Sequence, residues 1–391
     1  MLSFEKALEI VLDASHLLGT EEVDISCALN RILAEDVESD TDIPPFNKSA
    51  MDGYACRRED LDNELTIIET IPAGTAPRKM SGPRQCARIM TGAMVPDGAD
   101  CVIMVEFTKN PTENTVRFTG KETASNICFK AEDIRAGDVV LHRGTLIRPQ
   151  HIATLAAVGC ANPVVAVRPK VGVIATGSEL VEPSQNPSAS QIRDTNSFQL
   201  AAQVETVGAV AKNYGIAKDT REAIDAAVKK AVSENDVVLI SGGVSVGEFD
   251  FVPEILKQNG FALMFEKIAI KPGKPTVFGR RGNVFCFGVP GNPVSGFVIF
   301  ELLIKPFLYK LMGHNFKPPD IKAPLETSVS RKKVGSPSWI PVIITGAGIV
   351  MPAEYHGSAH FNALCGADGL ICIPKGIAEL KERTMVSVRL I

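Results

Sequence analysis

The chain has 391 residues, a length that fits about two to four domains with sizeable hydrophobic cores. Hydrophobic residues make up 45% of the chain and charged residues 22%, which excludes the polar, charge-rich class of disordered proteins. The formal net charge of −4 provides no overall positive field, so we expect neither a nucleic-acid partner nor a membrane partner.

The N-terminal residues predict an amphipathic helix. Charges at Glu5, Lys6, Glu9 and Asp13 interrupt the apolar core that a signal peptide would need. The nine cysteines are scattered, odd in number and form no C-x-x-C pair, so we expect reduced thiols rather than disulfides or a zinc knuckle. Together these features predict a cytoplasmic protein.

Short β-like runs separated by Pro and Gly turns predict a β-rich second domain over residues 45–135. The flanking segments 1–44 and 136–168 carry capped helices and strands, and we expect them to form one discontinuous domain. Residues 317–391 again alternate apolar with polar residues, which predicts a C-terminal β-barrel-like domain.

Strands and helices alternate over residues 169–316, which predicts a doubly wound α/β domain with helices on both faces of its sheet. Thr220 is the expected N-cap of one helix, and Asn292 with Pro293 is expected to begin the last one. The segment FALMFEKIAI (261–270) predicts a single strand. The apolar stretch 297–311 contains charged residues and a proline, and it is too short to span a bilayer, so we expect a buried helix.

The motif ISGGVSVGEFD (240–250) carries the strongest local signal. Backbone N–H groups around Gly242, Gly243 and Ser245 can approach an anion closely. The carboxylates of Glu248 and Asp250 are oxygen ligands suited to Mg²⁺ beside a phosphate. The alternative is a tight strand-to-helix turn without a ligand, since Gly-rich turns are common.

Three lysines lie close together in KIAIKPGKP (267–275): Lys267, Lys271 and Lys274. Lysine supplies movable cationic donors for a tetrahedral oxyanion or a phosphate. On one strand, Lys267 and Lys271 would share a face, an unusual use of a half-apolar strand. The alternative is a solvated, charged turn.

Other acidic positions have structural interpretations of equal or greater weight. Asp52 can belong to an Asp-Gly turn, Glu179 can complement a helix dipole, and Asp194 can cap a helix. His356 and His360 are four residues apart, but Gly357 and Ser358 between them argue against a helical zinc pair. Neither a Walker motif nor G-x-G-x-x-G is present, so the residues alone predict only an α/β domain that binds a phosphate-bearing ligand with Mg²⁺.

Seven motifs together resemble the molybdopterin molybdenumtransferase family, which includes MoeA and the gephyrin E domain. They occur in the order of that family: SAMDGYA (49–55), RIMTGA (88–93), ATGSEL (175–180), DTNS (194–197), SGGVSVGEFD (241–250), KPGKP (271–275) and GVPGNPVS (288–295). The resemblance implies a four-domain homodimer in which the discontinuous domain contributes to dimerisation. Its active site would lie between the α/β domain of one subunit and the β-rich domain of the other.

The resemblance also implies a reaction, in which molybdate is inserted into adenylylated molybdopterin and AMP is released with the help of Mg²⁺. The implied catalytic residues are Asp52, Glu179, Asp219, Asp250, Lys267 and Lys271. The implied cofactor-binding residues are Thr91, Asp133, Gly242, Gly243, Ser245, Lys274 and Ser358. Glu179, Asp219 and Asp250 would hold the metal, and an adenylylating protein is the expected partner that supplies the substrate.

Two alternatives remain open. A molybdopterin adenylyltransferase shares the SGG turn, although it would need only the α/β domain. A scaffold or peptide-binding module is the other, because the gephyrin E domain also anchors a receptor. The C-terminal stretch GSAHFNALCGADG (357–369) is poorer in serine than is usual in the family, and Asn47 and Lys48 replace the more common Asp and Asn.

Overall fold

The computed structural model describes residues 1–245, 250–355 and 357–391. The N-terminal elements follow in chain order: β1 (Leu2–Ser3), α1 (Phe4–Asp13), β2 (Thr20–Glu22) and β3 (Val37–Glu38). The predicted amphipathic helix is confirmed by α1, which buries Phe4, Ala7 and Val11 on one face. Its N-cap is Ser3, whose hydroxyl accepts the backbone N–H of Lys6 at 3.2 Å.

A six-stranded sheet dominates the next part of the chain. The elements here are β4 (Lys48–Ser49), β5 (Gly53–Cys56), β6 (Glu64–Ile71), β7 (Gln85–Ile89), β8 (Cys101–Met104), β9 (Thr108–Thr112), β10 (Thr115–Phe118) and β11 (Ile127–Cys128). The sheet order is β8-β5-β7-β6-β10-β9, and β4 pairs separately with β11. The predicted β-rich character of this segment is confirmed.

The chain then returns to its N-terminal segment through β12 (Val139–Leu141), α2 (Pro149–Ala157) and β13 (Val164–Ala166). Strand β12 pairs with β3, and β13 pairs with β2, both antiparallel. A bridge between Ile43 and Ile134 joins the two ends of the intervening β-rich segment. The residues before and after that segment therefore form one hydrogen-bonded unit.

Strands and helices alternate in the central part of the chain. They are β14 (Lys170–Thr176), β15 (Leu180–Val181), β16 (Ile192–Arg193), α3 (Asn196–Thr206), β17 (Val210–Ala217), α4 (Arg221–Glu234), β18 (Val237–Ser241), α5 (Val252–Gln258), β19 (Ala262–Phe265), β20 (Ile268–Ala269), β21 (Val277–Arg281), β22 (Val284–Val289), α6 (Pro293–Ile299) and α7 (Lys305–Leu311). The predicted N-cap is confirmed, since the Thr220 hydroxyl accepts the backbone N–H of Ala223 at 3.2 Å.

The central sheet has the order β17-β14-β18-β22-β21-β19. The first four strands are parallel, β21 runs antiparallel to β22, and β19 runs antiparallel to β21. Successive residues of β18 face opposite layers: Leu239 packs with α1, α3, α6 and α7, whereas Ile240 packs with α4 and α5. Every residue of β18 is buried, as a strand covered on both faces requires. The predicted doubly wound α/β domain is confirmed.

The prediction of one strand over residues 261–270 is wrong. Strand β19 ends at Phe265, and β20 leaves the central sheet to pair in parallel with β1, where Ile268 lies opposite Leu2. Lys267 lies between the two strands, so strand parity does not place it on one face with Lys271. The pairing partner is more than 260 residues away in the chain, and local alternation carries no information about it.

The apolar stretch after Asn292 forms a buried helical run, as predicted. It consists of α6, a π-helical turn at Phe300–Ile304, and α7. In the part of the chain that the structure describes, every helix is too short or too polar to cross a lipid bilayer.

The C-terminal elements are β23 (Asp320–Pro324), β24 (Val329–Ser330), β25 (Ser338–Ile344), β26 (Val350–Pro352), β27 (Gly369–Ile373), β28 (Glu379–Leu380) and β29 (Met385–Leu390). Five of them form a sheet of order β23-β29-β27-β25-β26. A bridge between Leu325 and Val350 brings the two edges of this sheet together. This closure confirms the predicted barrel-like character.

Candidate active site

A cavity of about 460 Å³ opens at the carboxyl ends of the parallel strands β14 and β18. Open α/β sheets bind ligands at this edge, because the loops that follow neighbouring strands meet there. Six of the predicted site residues line this cavity: Glu179, Asp219, Gly242, Gly243, Ser245 and Asp250.

The turn after β18 requires glycine. Gly242 and Gly243 have φ angles of +95° and +64°, which residues with side chains rarely adopt. A Cβ on Gly242 would also lie only 2.5 Å from the carbonyl oxygen of Thr176. The backbone of this turn can therefore approach a bound ligand where a bulkier residue would be excluded.

Asp219 is fixed by a reciprocal pair of hydrogen bonds. Its carboxylate accepts the backbone N–H of Ser178 at 2.8 Å, and the Ser178 hydroxyl accepts the backbone N–H of Asp219 at 3.1 Å. The loops after β14 and β17 are thereby tied together, and one oxygen of a cavity-lining carboxylate is held in place.

Glu179 lies on the opposite loop and does not begin a helix. Strand β15 follows it directly, so the interpretation of Glu179 as a helix-dipole partner is wrong. Its carboxylate folds over Gly177, where an added Cβ would lie 2.8 Å from one of its oxygens. With Asp219 and Asp250, it gives the cavity wall three carboxyl groups.

The cavity wall suits a metal ion that is coordinated partly by oxygens of the bound ligand better than a metal ion that is coordinated only by protein side chains. Among the described residues, no group of three or more His, Cys, Asp and Glu side chains is close enough to hold a metal ion. Mg²⁺ commonly takes one or two carboxylates and completes its coordination with water and phosphate oxygens. The carboxyl groups of the cavity wall fit that use. Glu248 and His356, both weighed from the sequence, lie outside the described residues.

A second cavity of about 600 Å³ adjoins the first and shares Thr176, Glu179 and Asn292 with it. Its wall includes Asn196, whose side-chain amide donates to Ser241 Oγ at 2.8 Å and to the Gly291 carbonyl at 2.7 Å. Neither Asn196 nor Asn292 was predicted as a site residue, although Asn292 was predicted to begin a helix. Asn196 lies in the motif DTNS and Asn292 in the motif GVPGNPVS, each at the start of a helix. These positions were the signal in the sequence that could have identified both residues.

Asp194 also lines the second cavity, and its carboxylate accepts the backbone N–H of Ser197 at 3.1 Å. It thus provides the N-terminal hydrogen bond of α3 from two residues before the helix, as the capping interpretation predicted. Asn292 is the N-cap residue of α6 and Pro293 its first residue, as predicted, but the Asn292 side chain makes no hydrogen bond to the helix. Its amide donates instead to Ser358 Oγ at 3.0 Å. This contact brings Ser358 from the C-terminal domain to the rim of the site.

The three lysines do not line either cavity. Lys267, Lys271 and Lys274 are exposed, and the segment reaches the first cavity only through Pro275. The backbone of Lys271 donates to the Pro337 carbonyl and accepts the N–H of Trp339, at 3.0 and 2.7 Å. The lysine segment is therefore held between the α/β and C-terminal domains, with its ammonium groups in solvent.

Asp52 and Thr91 form a separate site on the six-stranded sheet. The Asp52 carboxylate accepts the backbone N–H of Thr91 at 2.6 Å and the Thr91 hydroxyl at 2.8 Å. These hydrogen bonds hold the pKa of Asp52 below its ordinary value of 3.8. Asp133 is exposed near the end of the β-rich segment, where its backbone N–H donates to the Ile43 carbonyl. Asp52, Thr91 and Asp133 do not line the two cavities of the α/β domain.

Comparisons with known proteins agree along the whole chain. Family models match residues 2–159 as the MoeA N-terminal region (domain I and II), 172–310 as a probable molybdopterin binding domain, and 322–391 as the MoeA C-terminal region (domain IV). A molybdopterin molybdenumtransferase of Staphylococcus epidermidis is 36% identical over 99% of this chain and 95% of its own length. A protein of that name from Haemophilus influenzae is 40% identical over 81% of this chain and 79% of its own length.

A solved structure supports the same relationship. The crystal structure of a molybdopterin biosynthesis MoeA protein from Pyrococcus horikoshii OT3 superimposes with a TM-score of 0.86 at 33% identity. The match covers 100% of both chains. Sequence and fold therefore give the same assignment over the full length.

Proposed function

The chain belongs to the MoeA family of molybdopterin molybdenumtransferases, enzymes of molybdenum cofactor biosynthesis, and we propose that it inserts molybdate into adenylylated molybdopterin with release of AMP. One observation carries this proposal. Three carboxyl groups and a Gly-Gly turn line a single cavity at the ligand-binding edge of the sheet. A phosphate-bearing substrate and a cation need these two kinds of group side by side.

The Gly242–Gly243 turn would hold a phosphate of the substrate. The backbone N–H of Gly242 donates to the Val289 carbonyl at 3.0 Å, so the backbone N–H groups that follow it in the turn would meet the anion. A backbone donor needs no side-chain reorganisation for this role. Ser245, on the same wall, adds a hydroxyl donor. The second cavity, with Asn196 and Asn292 on its wall, offers adjoining space for the rest of the ligand.

Of the three cavity-wall carboxylates, Glu179, Asp219 and Asp250, one or two would hold Mg²⁺ together with the phosphates, and the remaining one would orient the attacking water. When bound, Mg²⁺ supplies charge neutralisation at the phosphate oxygens. In cleavage of the adenylate linkage, the oxygen of a water molecule would form a P–O bond to the pterin phosphate while the bridging P–O bond breaks. AMP would leave with the bridging oxygen, the pterin would keep its phosphate, and the water proton would pass to solvent. Asp219 is already fixed by Ser178, and its oxygen need not be reoriented for this role.

Lys267, Lys271, Lys274 and Ser358 would hold molybdate near the pterin dithiolene. The lysines are exposed on a segment that is anchored through the backbone of Lys271. Mobile ammonium groups on a fixed backbone suit the capture of a free oxyanion from solution. Ser358 adds a hydroxyl already placed beside Asn292.

A second copy of the chain would complete the site. Asp52, Thr91 and Asp133 belong to the β-rich segment and lie outside the cavity wall of the α/β domain. In a homodimer, the β-rich domain of one subunit can present these residues to the cavity of the other. We also infer a transient partner that adenylylates molybdopterin, because the substrate must be made and handed over. All nine thiols are unpaired, which suits the reducing cytoplasm.

The test is an assay of purified protein with adenylylated molybdopterin, Mg²⁺ and molybdate. We expect AMP release that depends on molybdate, with molybdenum appearing on the pterin. Asp250→Ala should lower the rate about 100-fold or more, because it removes a charged group at the reacting phosphates. Arg117→Gln, at an exposed position of β10, is the matched control and should keep full activity.

Other outcomes would assign a different function. ATP-dependent formation of adenylylated molybdopterin would identify an adenylyltransferase. A folded dimer that releases no AMP under any of these conditions would favour the scaffold alternative.

A further inference from the structure

A concave surface lined by basic side chains lies apart from the two cavities of the candidate active site. Residues 143–151 form one wall and residues 313–317 form the other, and between them lies an open depression of about 510 Å³. The wall carries Arg143, Arg148, His151, His314 and Lys317, and no Asp or Glu lines it. We call it the basic cavity. It stands out in a chain whose formal net charge is −4.

Among the described residues, Arg143, Arg148 and Lys317 of the basic cavity form no ion pair with a carboxylate. Asp36 does lie behind one wall, but its carboxylate accepts the backbone N–H of Arg143 at 2.6 Å. The guanidinium and ammonium groups are therefore left for an external anion.

The two walls are fixed to each other. His314 Nδ1 donates to the Gly144 carbonyl at 2.7 Å, and because a carbonyl only accepts, the proton on this nitrogen is defined. An added Cβ on Gly144 would lie 2.9 Å from the carbonyl oxygen of Gly313, which shows how closely the loops approach. The basic cavity is thus held by contacts between residues far apart in the chain.

An aromatic cluster stiffens the second wall. Tyr309 stacks on Phe316 at 4.9 Å between ring centroids and meets His314 edge-on at 5.0 Å. Burial and the negative charge of Glu301 raise the pKa of Tyr309, and the positive charge of Arg148 opposes that rise. The segment after α7 is therefore anchored on both sides of Asn315.

We propose that the basic cavity binds a tetrahedral oxyanion with at least two negative charges, either free or as the phosphate group of a larger molecule. Two guanidinium groups can each give paired N–H donors to such an anion, and Lys317 adds a mobile third charge. None of these residues belongs to the candidate active site.

The experiment is isothermal titration of the full-length protein at low ionic strength with inorganic phosphate, because salt screens exposed charges. We expect Arg148→Gln and Lys317→Gln each to weaken phosphate affinity by at least about tenfold. Arg117→Gln, an exposed arginine on another sheet, should bind as the wild type does. Circular dichroism melts of all variants check that folding is unchanged.

A further variant, Lys271→Ala, separates the basic cavity from the candidate active site. Affinity that falls in Lys271→Ala but not in Arg148→Gln or Lys317→Gln would overturn the proposal, as would a wild type that does not bind phosphate. Repeating the titration with molybdate and with AMP identifies the source of the ligand. Tighter binding of AMP, lost in Arg148→Gln, indicates a phosphate ester, whereas binding of phosphate or molybdate without AMP indicates a free ion.

Discussion

Gly242 lacks a side chain at a point where the carbonyl of Thr176 occupies the space that a Cβ would need. The neighbouring carboxylates depend on equally local contacts, such as the Ser178 hydrogen bond that holds Asp219. Motif residues on the loops after β14, β17 and β18 could be predicted from the sequence because their chemistry is visible in the residue type. The hydrogen bond from Asn292 to Ser358 could not, because it joins residues 66 positions apart.

Gly242→Ala should destabilise the protein and disable the site together. The substitution combines a positive φ with a 2.5 Å approach to backbone, and we expect a loss of about 2 kcal/mol or more in the free energy of unfolding. Urea denaturation measures it. Gly335→Ala is the control, because a Cβ there meets nothing within 4 Å, and it should change stability little. Equal stability of both variants would contradict the expectation.

Thr91→Val should raise the pKa of Asp52 toward 3.8, since one of the two stabilising hydrogen bonds is lost. A carboxyl with a depressed folded pKa stabilises the native state above its unfolded pKa, and that contribution is lost as the pH falls through the folded value. The stability difference between wild type and variant should therefore be fully present above about pH 4 and should shrink as the pH falls through the folded pKa of Asp52. Carbonyl-detected NMR titration measures the pKa of Asp52 in both proteins, and an unchanged pKa would contradict the assignment.

At the scale of elements, local pattern predicted those whose partners are local. The Thr220 cap of α4 follows from residues within one helical turn. Strand β20 was missed because its partner is β1, at the other end of the chain. Alternation of apolar and polar residues shows that a segment is extended, but it does not show which strand it joins.

Three neighbouring strands of the β-rich sheet bring cysteines together. Cys56 of β5 lies opposite Cys86 of β7 and Cys101 of β8, and all three are fully buried. Burial raises the pKa of Cys86 to about 12, which suppresses its reactive thiolate. We expect a thiol reagent to modify the exposed Cys27 and Cys365 first in the native protein.

The buried thiols should react only after unfolding, and colourimetric thiol titration with and without denaturant measures the two classes. Rapid reaction of Cys56, Cys86 or Cys101 in the native state, identified by peptide mass spectrometry, would contradict their placement. Cys27→Ser should remove one rapidly reacting thiol and serves as the control for the exposed class.

At the scale of the whole molecule, composition and motif order predicted the family and the fold class, both of which the comparisons confirm. The arrangement of the site was harder to predict. Residues of one proposed reaction lie on two separate sheets of the same chain, at Asp52 and at Asp250. The sequence order of the motifs carries no information on whether they meet within one subunit or between two.

Mixed dimers decide that question. Asp52→Ala and Asp250→Ala proteins should each be inactive alone. After unfolding and joint refolding, half of the dimers are mixed and each has one intact site, so activity should return to about one quarter of the wild-type level. No recovery, with mixed dimers verified by mass, would place both residues in the site of a single subunit.

The pairing of β3 with β12 also limits when the N-terminal domain can fold during translation. Glu38 leaves the ribosome about 100 residues before its partner Val139. At a translation rate of about 5–20 residues per second, β3 remains without its partner strand for roughly 5–20 s. The β-rich segment between the two strands is synthesised during that time. That segment can fold first, and its ends, bridged at Ile43 and Ile134, then bring the waiting strands to the newly made ones.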